Sequence, residues 1–135
     1  MLLSKSAEYA IKSLILINYD SKINIEYIAS KLDIPRSFTS KILQVLVKKD
    51  YISSKRGPGG GFVVNDYSKT LKDLICDIDH KFEYDKCVMG LSGCSDENAC
   101  PLHENFKEIK NKILNELMVL KISDICKNPN KILKL

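Results

Sequence analysis

Apolar residues recur along the first third of the chain at helical spacing. Tyr9, Ala10, Leu14 and Ile17 follow one another at steps of three and four, which predicts an amphipathic helix over 6–19. After Asp20-Ser21-Lys22, the stretch Ile25 to Leu32 predicts a second, short helix. Asp33-Ile34-Pro35 is then a tight connection, with Pro35 opening a third helix that runs from Arg36 to about Lys49. Phe38, Ile42, Val45 and Leu46 form the apolar side of this third helix, and Ser37, Ser40, Lys41, Gln44 and Lys48 its polar side. Two helices joined by three residues suggest a helix-turn-helix. In that motif the polar side donates to phosphates and base edges, whereas on an unrelated fold it is an ordinary solvated face.

The period then changes. Tyr51 to Arg56 and Phe62-Val63-Val64 are short strand-like runs separated by Gly57-Pro58-Gly59-Gly60-Gly61, a hairpin whose tip is nearly free of side chains. A nucleotide-binding glycine loop is excluded, because such loops lead directly into a helix and here a strand follows. A hairpin directly after a recognition helix is a wing. Lys55 and Arg56, beside the small tip residues Gly59 and Gly60, are placed to enter a minor groove or follow phosphates. Helical spacing returns from Thr70 to about Asp79 with Leu71, Leu74, Ile75 and Ile78, and Cys76 within it reads as a packed thiol.

Pro101 fits the first position of a long helix reaching about Ile122, with Cys100 as its cap. Leu102, Phe106, Ile109, Ile113, Leu117 and Leu120 make one apolar stripe along it. So long a stripe needs a partner, either the same helix of a second copy or the rest of the chain. The tail from Cys126 to Leu135 carries little signal. The expected fold is mainly α with a small β-hairpin wing: a winged helix-turn-helix over 1–80, a cysteine loop over 81–100, and a dimerisation helix with its tail over 101–135.

Composition narrows the class of partner. The chain has 135 residues, 44% of them hydrophobic, enough for one domain with a real core. Residues 1–64 hold ten Lys/Arg against five Asp/Glu, while 65–135 hold eleven against twelve, so the basic surface is N-terminal. Only two of the 21 basic residues are arginine, Arg36 and Arg56, and they fall at the start of the third helix and beside the wing tip. Arginine serves where a planar bidentate donor is needed. With no signal peptide and no run of 18 apolar residues, a cytoplasmic protein without a membrane partner is expected.

Three of the five cysteines and a histidine lie within Cys87-Val-Met-Gly-Leu-Ser-Gly-Cys94-Ser-Asp-Glu-Asn-Ala-Cys100-Pro-Leu-His103. Thiolates are the soft ligands that zinc and iron–sulfur clusters require, and the turn residues between them let the loop wrap around an ion. Disulfide chemistry and unligated thiols are the competing readings, the first disfavoured by an odd cysteine count in a non-secreted chain. A small iron–sulfur or thiol oxidoreductase is remote, since no second cluster motif, CxxC pair or acid–base set accompanies the loop.

With these residues in view, the chain resembles the Rrf-two superfamily of winged-helix regulators, some of which carry iron–sulfur clusters. The resemblance rests on the opening Leu3-Ser-Lys-Ser-Ala-Glu-Tyr-Ala, the wing Arg56-Gly-Pro-Gly-Gly-Gly-Phe, and the loop ending Cys100-Pro-Leu-His103. It implies a homodimeric transcription factor on a double-stranded DNA operator, with one cluster per subunit at Cys87, Cys94 and Cys100. The six-residue first spacer departs from the five of the best-known members. In the IscR-like pattern a histidine three residues after the last cysteine completes a two-iron site, and His103 stands there. In NsrR-like and RsrR-like members an acidic residue on the first helix of the other subunit does so, and Glu8 stands there. Both remain open; a two-iron cluster is favoured over a four-iron one, and a structural zinc in the same ligand set is the alternative.

Overall fold

The computed structural model describes residues 3–80 and 86–127. The chain folds as a mainly helical body with one two-stranded antiparallel hairpin. Helix α1 spans Lys5–Tyr19, α2 Ile25–Leu32 and α3 Arg36–Lys48. Ser4 caps α1 by accepting from the Ala7 amide at 3.0 Å, and Asn24 caps α2 by accepting from the Tyr27 amide at 2.9 Å. Asp33 ends α2 in the left-handed region at φ 52°, turning the chain sharply into α3. Pro35 lies just before α3 and not within it: its carbonyl receives the Phe38 and Thr39 amides and the buried Thr39 hydroxyl.

Strand β1 (Ile52–Lys55) pairs with β2 (Gly61–Val64), Ile52 opposite Val64 and Lys55 opposite Gly61. Gly61 fits where no other residue would, because a Cβ there would stand 2.3 Å from the Ser21 carbonyl oxygen in the α1–α2 connection. The tip end of β2 therefore sits against the α1–α2 connection, while the turn residues Gly57 and Gly59 have open space around them. Helix α4 (Leu71–Asp79) begins in a reciprocal cap between Thr70 and Asp73.

One core runs through Leu14, Ile17, Ile28, Leu43, Leu46, Tyr51, Ile52 and Leu74, so that α1 is packed between the helix-turn-helix, the wing and α4. Ala7, Leu71, Ile75 and Met118 form a smaller second cluster. Polar ties fix α4 at its far end: Ser4 Oγ donates to Asp79 Oδ1 at 2.6 Å, and the wholly buried Tyr51 donates its hydroxyl to Asp77 Oδ2 at 2.8 Å.

The long helix expected over 101–122 is shorter and interrupted. Helix α5 covers His103–Lys112, a π-helical stretch follows over Ile113–Leu117, and the chain then leaves the helix axis before a short α6 (Ile122–Ile125). The helix stops because Met118 turns into the second cluster at 1% exposure, and burying such a side chain is worth about 1.5–3 kcal/mol. The Met118 and Leu120 carbonyls also accept the Lys72 and Leu71 amides, satisfying donors that the first turn of α4 would otherwise leave unpaired. At the other end Leu102, not Cys100, occupies the cap position, and the Cys100 carbonyl accepts the His103 amide at 3.0 Å. The boundary drawn at 80/81 meets residues 81–85, which, like the tail from 128 onward, lie outside the described residues. Among the described residues, no helix is long and apolar enough to cross a membrane.

Candidate metal centre and nucleic-acid interface

The cysteine loop has almost no hydrophobic core of its own. Gly90 and Gly93 adopt positive φ, and Val88, Met89 and Leu91 are each about half exposed, so the loop's conformation follows from turns, not packing. Those turns nevertheless gather the three thiols. The sulfurs of Cys87, Cys94 and Cys100 all lie within 4.8 Å of one another, with Cys87 and Cys100 at 3.6 Å. Cys76 and Cys126 stand apart from this group, Cys126 buried in the main core.

His103 joins through Cys94, its Nδ1 lying 3.2 Å from Cys94 Sγ. The other ring nitrogen, Nε2, lies 2.9 Å from Asp96 Oδ1, and Lys107 donates to the same oxygen at 2.6 Å. Those two contacts, Lys107 first, hold the Asp96 carboxyl below its ordinary range. Asp96 therefore fixes the ring from behind and leaves Nδ1 facing the sulfurs, the usual relation of a ligating imidazole to its outer partner. Spacing in the sequence did not single out Asp96, since the contact spans a turn-rich loop and obeys no periodic rule. Glu8 does not reach the cysteines of its own chain; it pairs with Lys5 at 3.1 Å.

The loop treats its thiols unequally. Backbone amides of Leu91 and Met89 point at Cys87 and bring its pKa down to about 7. Cys94 is pushed up: the Cys100 amide favours its thiolate, but burial and the neighbouring sulfurs outweigh that amide. Beside the thiols a cavity of about 310 Å³ is lined by Cys87, Cys94 and His103 together with Phe106 and the cations Lys86, Lys107 and Lys110. Soft donors, room and positive surroundings fit a thiolate-ligated iron–sulfur cluster. A 3.6 Å sulfur pair also suits one tetrahedral ion, for which metal–sulfur bonds of about 2.3 Å set the edge.

Ser37, Lys41, Gln44 and Lys48 occupy one exposed stripe of α3, with Ser40 half-buried beside it and in contact with Gln44. Lys55, Arg56 and Gly59 are exposed at the wing tip, while Gly60 closes the turn by donating to the Gly57 carbonyl. A cleft of about 400 Å³ separates helix from wing, lined by Ser40, Gln44, Lys48, Ser54 and Phe62. Arg36, exposed at the start of α3, is held by Glu26, a partner that pattern reading did not anticipate.

Comparison with known proteins places these features in context. Residues 3–128 match the Rrf2 family, described as iron-dependent transcriptional regulators. A protein of Aquifex aeolicus, provisionally named an HTH-type transcriptional regulator, is 30% identical over 131 residues, covering 93% of this chain and 91% of its own. The HTH-type transcriptional regulator IscR of Yersinia pestis is 23% identical over 133 residues, covering 95% of this chain and 80% of its own. Among solved structures, CymR, the global cysteine regulator of B. subtilis, superposes with a TM-score of 0.70 at 16% identity, covering 93% of this chain and 96% of its own. T. potens IscR superposes with a TM-score of 0.64 at 17% identity, covering 97% and 90%. At those identities the structural matches speak for the winged-helix fold.

Proposed function

The chain belongs to the Rrf2 family of transcriptional regulators, and from that premise we propose that it binds operator DNA as a homodimer, with an affinity set by an iron–sulfur cluster at Cys87, Cys94 and Cys100. The observation that carries this reading is the convergence of three loop sulfurs within 4.8 Å in a segment that packing alone does not organise. His103 is the fourth ligand, presented through Nδ1, because Asp96 already occupies Nε2. The likeness to the IscR pattern, in which a histidine three residues after the last cysteine completes a two-iron site, favours a two-iron over a four-iron cluster. When bound, such a cluster supplies a centre sensitive to oxidants, nitric oxide and iron supply. Acting on the chromosome places the protein in the cytoplasm.

The protein's own residues carry the signal. Ligation orders the loop and, three residues after Cys100, fixes the start of α5. Helix α5 has no buried residue, and Ile109 is 55% exposed, so its apolar stripe is free to pack on the same helix of a second copy. From its end, Met118 inserts against α4, and α4 is tied to the wing base through Asp77 and Tyr51. A shift of α5 thereby reaches the wing tip and α3, where Arg56, Lys55 and the stripe Ser37, Lys41, Gln44 and Lys48 read the duplex, with Gly59 and Gly60 letting the tip approach the backbone.

Strictly anaerobic purification followed by absorption and Mössbauer spectroscopy tests the cluster assignment. Two irons per subunit, lost on Cys87→Ser, Cys94→Ser or Cys100→Ser but kept on Cys76→Ser, support it. A colourless protein with stoichiometric zinc would instead favour a structural Cys3His site, the reading that the 3.6 Å pair of Cys87 and Cys100 also suits.

A further inference from the structure

Five cations face the side proposed to meet DNA: Arg36, Lys41, Lys48, Lys55 and Arg56. Of these five, Arg36 alone has an acidic partner among the described residues. Its Nε donates to Glu26 Oε1 at 2.7 Å. Glu26 lies in the first turn of α2, and the left-handed turn at Asp33 brings the start of α3 back alongside it. Both side chains are exposed, 64% for Arg36 and 58% for Glu26, and ion pairs so open to water contribute little to folding. The Arg36 hydrogen bond, followed by Glu26's own backbone amide, holds this carboxyl below its usual range, so it stays ionised at neutral pH.

The chemistry of the pair bears on recognition. A guanidinium has five N–H donors in one plane; Glu26 takes the Nε donor and leaves the four on the terminal amino groups. Those groups suffice for a bidentate contact with guanine O6 and N7, which requires a fixed plane. The same carboxylate repels phosphates, so an arginine bound to it is a poor backbone anchor compared with Lys41 or Lys48.

Resting on the proposed DNA reading, we propose that Glu26 is a specificity-determining positioning residue: it aims Arg36 at a base edge and suppresses its use as a non-specific phosphate contact.

The test uses the full-length dimer and an operator selected by the wild-type protein from a random duplex library, with a scrambled duplex as control at fixed salt. Arg36→Ala should erase the base preference at one position. Glu26→Gln should erase preference at that same position, bind the scrambled duplex more tightly, and lower the ratio of specific to non-specific affinity by about five- to a hundredfold. In the Arg36→Ala background Glu26→Gln should leave base preference unchanged. Glu26→Asp, which keeps the charge but draws the carboxylate back, should lose base preference while still binding the scrambled duplex weakly. Thermal melts of each variant confirm folding. An Arg36→Ala effect without any effect of Glu26→Gln on base preference overturns the role of Glu26 alone. Unchanged base preference in Arg36→Ala overturns the premise together with the inference.

Discussion

His103 Nδ1 lies 3.2 Å from Cys94 Sγ, which puts the histidine beside the three-cysteine group. The relation depends on Asp96 behind the ring. Asp96→Ala should therefore loosen the site without removing a ligand, and loss of such an outer partner typically costs about 10–100-fold in metal affinity. The rate at which a chelator bleaches wild-type and variant protein measures this; equal rates would mean that Asp96 does not position His103.

In the metal-free protein Cys87, brought to about pKa 7 by the Leu91 and Met89 amides, should be the first of the loop thiols to alkylate at pH 7. Its labelling should fall as pH drops below that value, because the thiolate is the nucleophile. Cys94, pushed upward, should lag behind it. Mass spectrometry after brief iodoacetamide treatment at several pH values reads the order, and faster labelling of Cys94 would contradict it.

Helix α5 presents Ile109 to solvent in the single chain. If a second copy covers the stripe, Ile109→Glu would bury an uncompensated charge and yield monomer in sedimentation, whereas Ile113, half-buried against the second cluster of its own chain, is no clean probe. A dimer of unchanged affinity would put the interface elsewhere.

Tyr51 is wholly buried with its hydroxyl on Asp77, and burial, then that carboxylate, drives its pKa far above the ordinary value. Tyr51→Phe should cost about 1–3 kcal/mol through the lost bond to a charged group. The linkage has a definite sign. Above about pH 10 the unfolded chain releases the phenol proton and the folded chain keeps it, so the unfolded state binds fewer protons and stability falls with rising pH. Denaturant melts of both proteins between pH 8 and 11 should converge as pH rises; a constant gap would show that Tyr51 does not titrate differently in the two states.

The N-terminal elements were legible because each rests on local rules. Apolar spacing in α1 to α3 and a glycine tip between two β-rich runs are short-range signals, whereas the caps at Ser4 and Asn24 came only with the structure. The cysteines were legible because thiols in a polar, turn-rich loop have no packing role. Where α5 ends was not, since Leu117 and Leu120 prolong the stripe. Its end is tertiary, fixed by Met118 burial and by the amides that open α4. Asp96 and Glu26 escaped notice for a related reason: each meets its partner across a turn, from outside the helix that carries that partner, so the periodicity of no single element joins them.

The most direct test of the central claim is binding of genomic operator fragments by cluster-loaded and cluster-free protein at the same salt concentration, because the basic surface alone gives a salt-dependent background. If ligation at Cys87, Cys94 and Cys100 sets the position of α5 against the winged helix, at least one fragment should differ by tenfold or more, about 1.4 kcal/mol of coupling, and the same fragment should change the cluster's rate of loss. Equal affinities on every specific fragment would contradict the account and leave a winged-helix protein whose metal is structural.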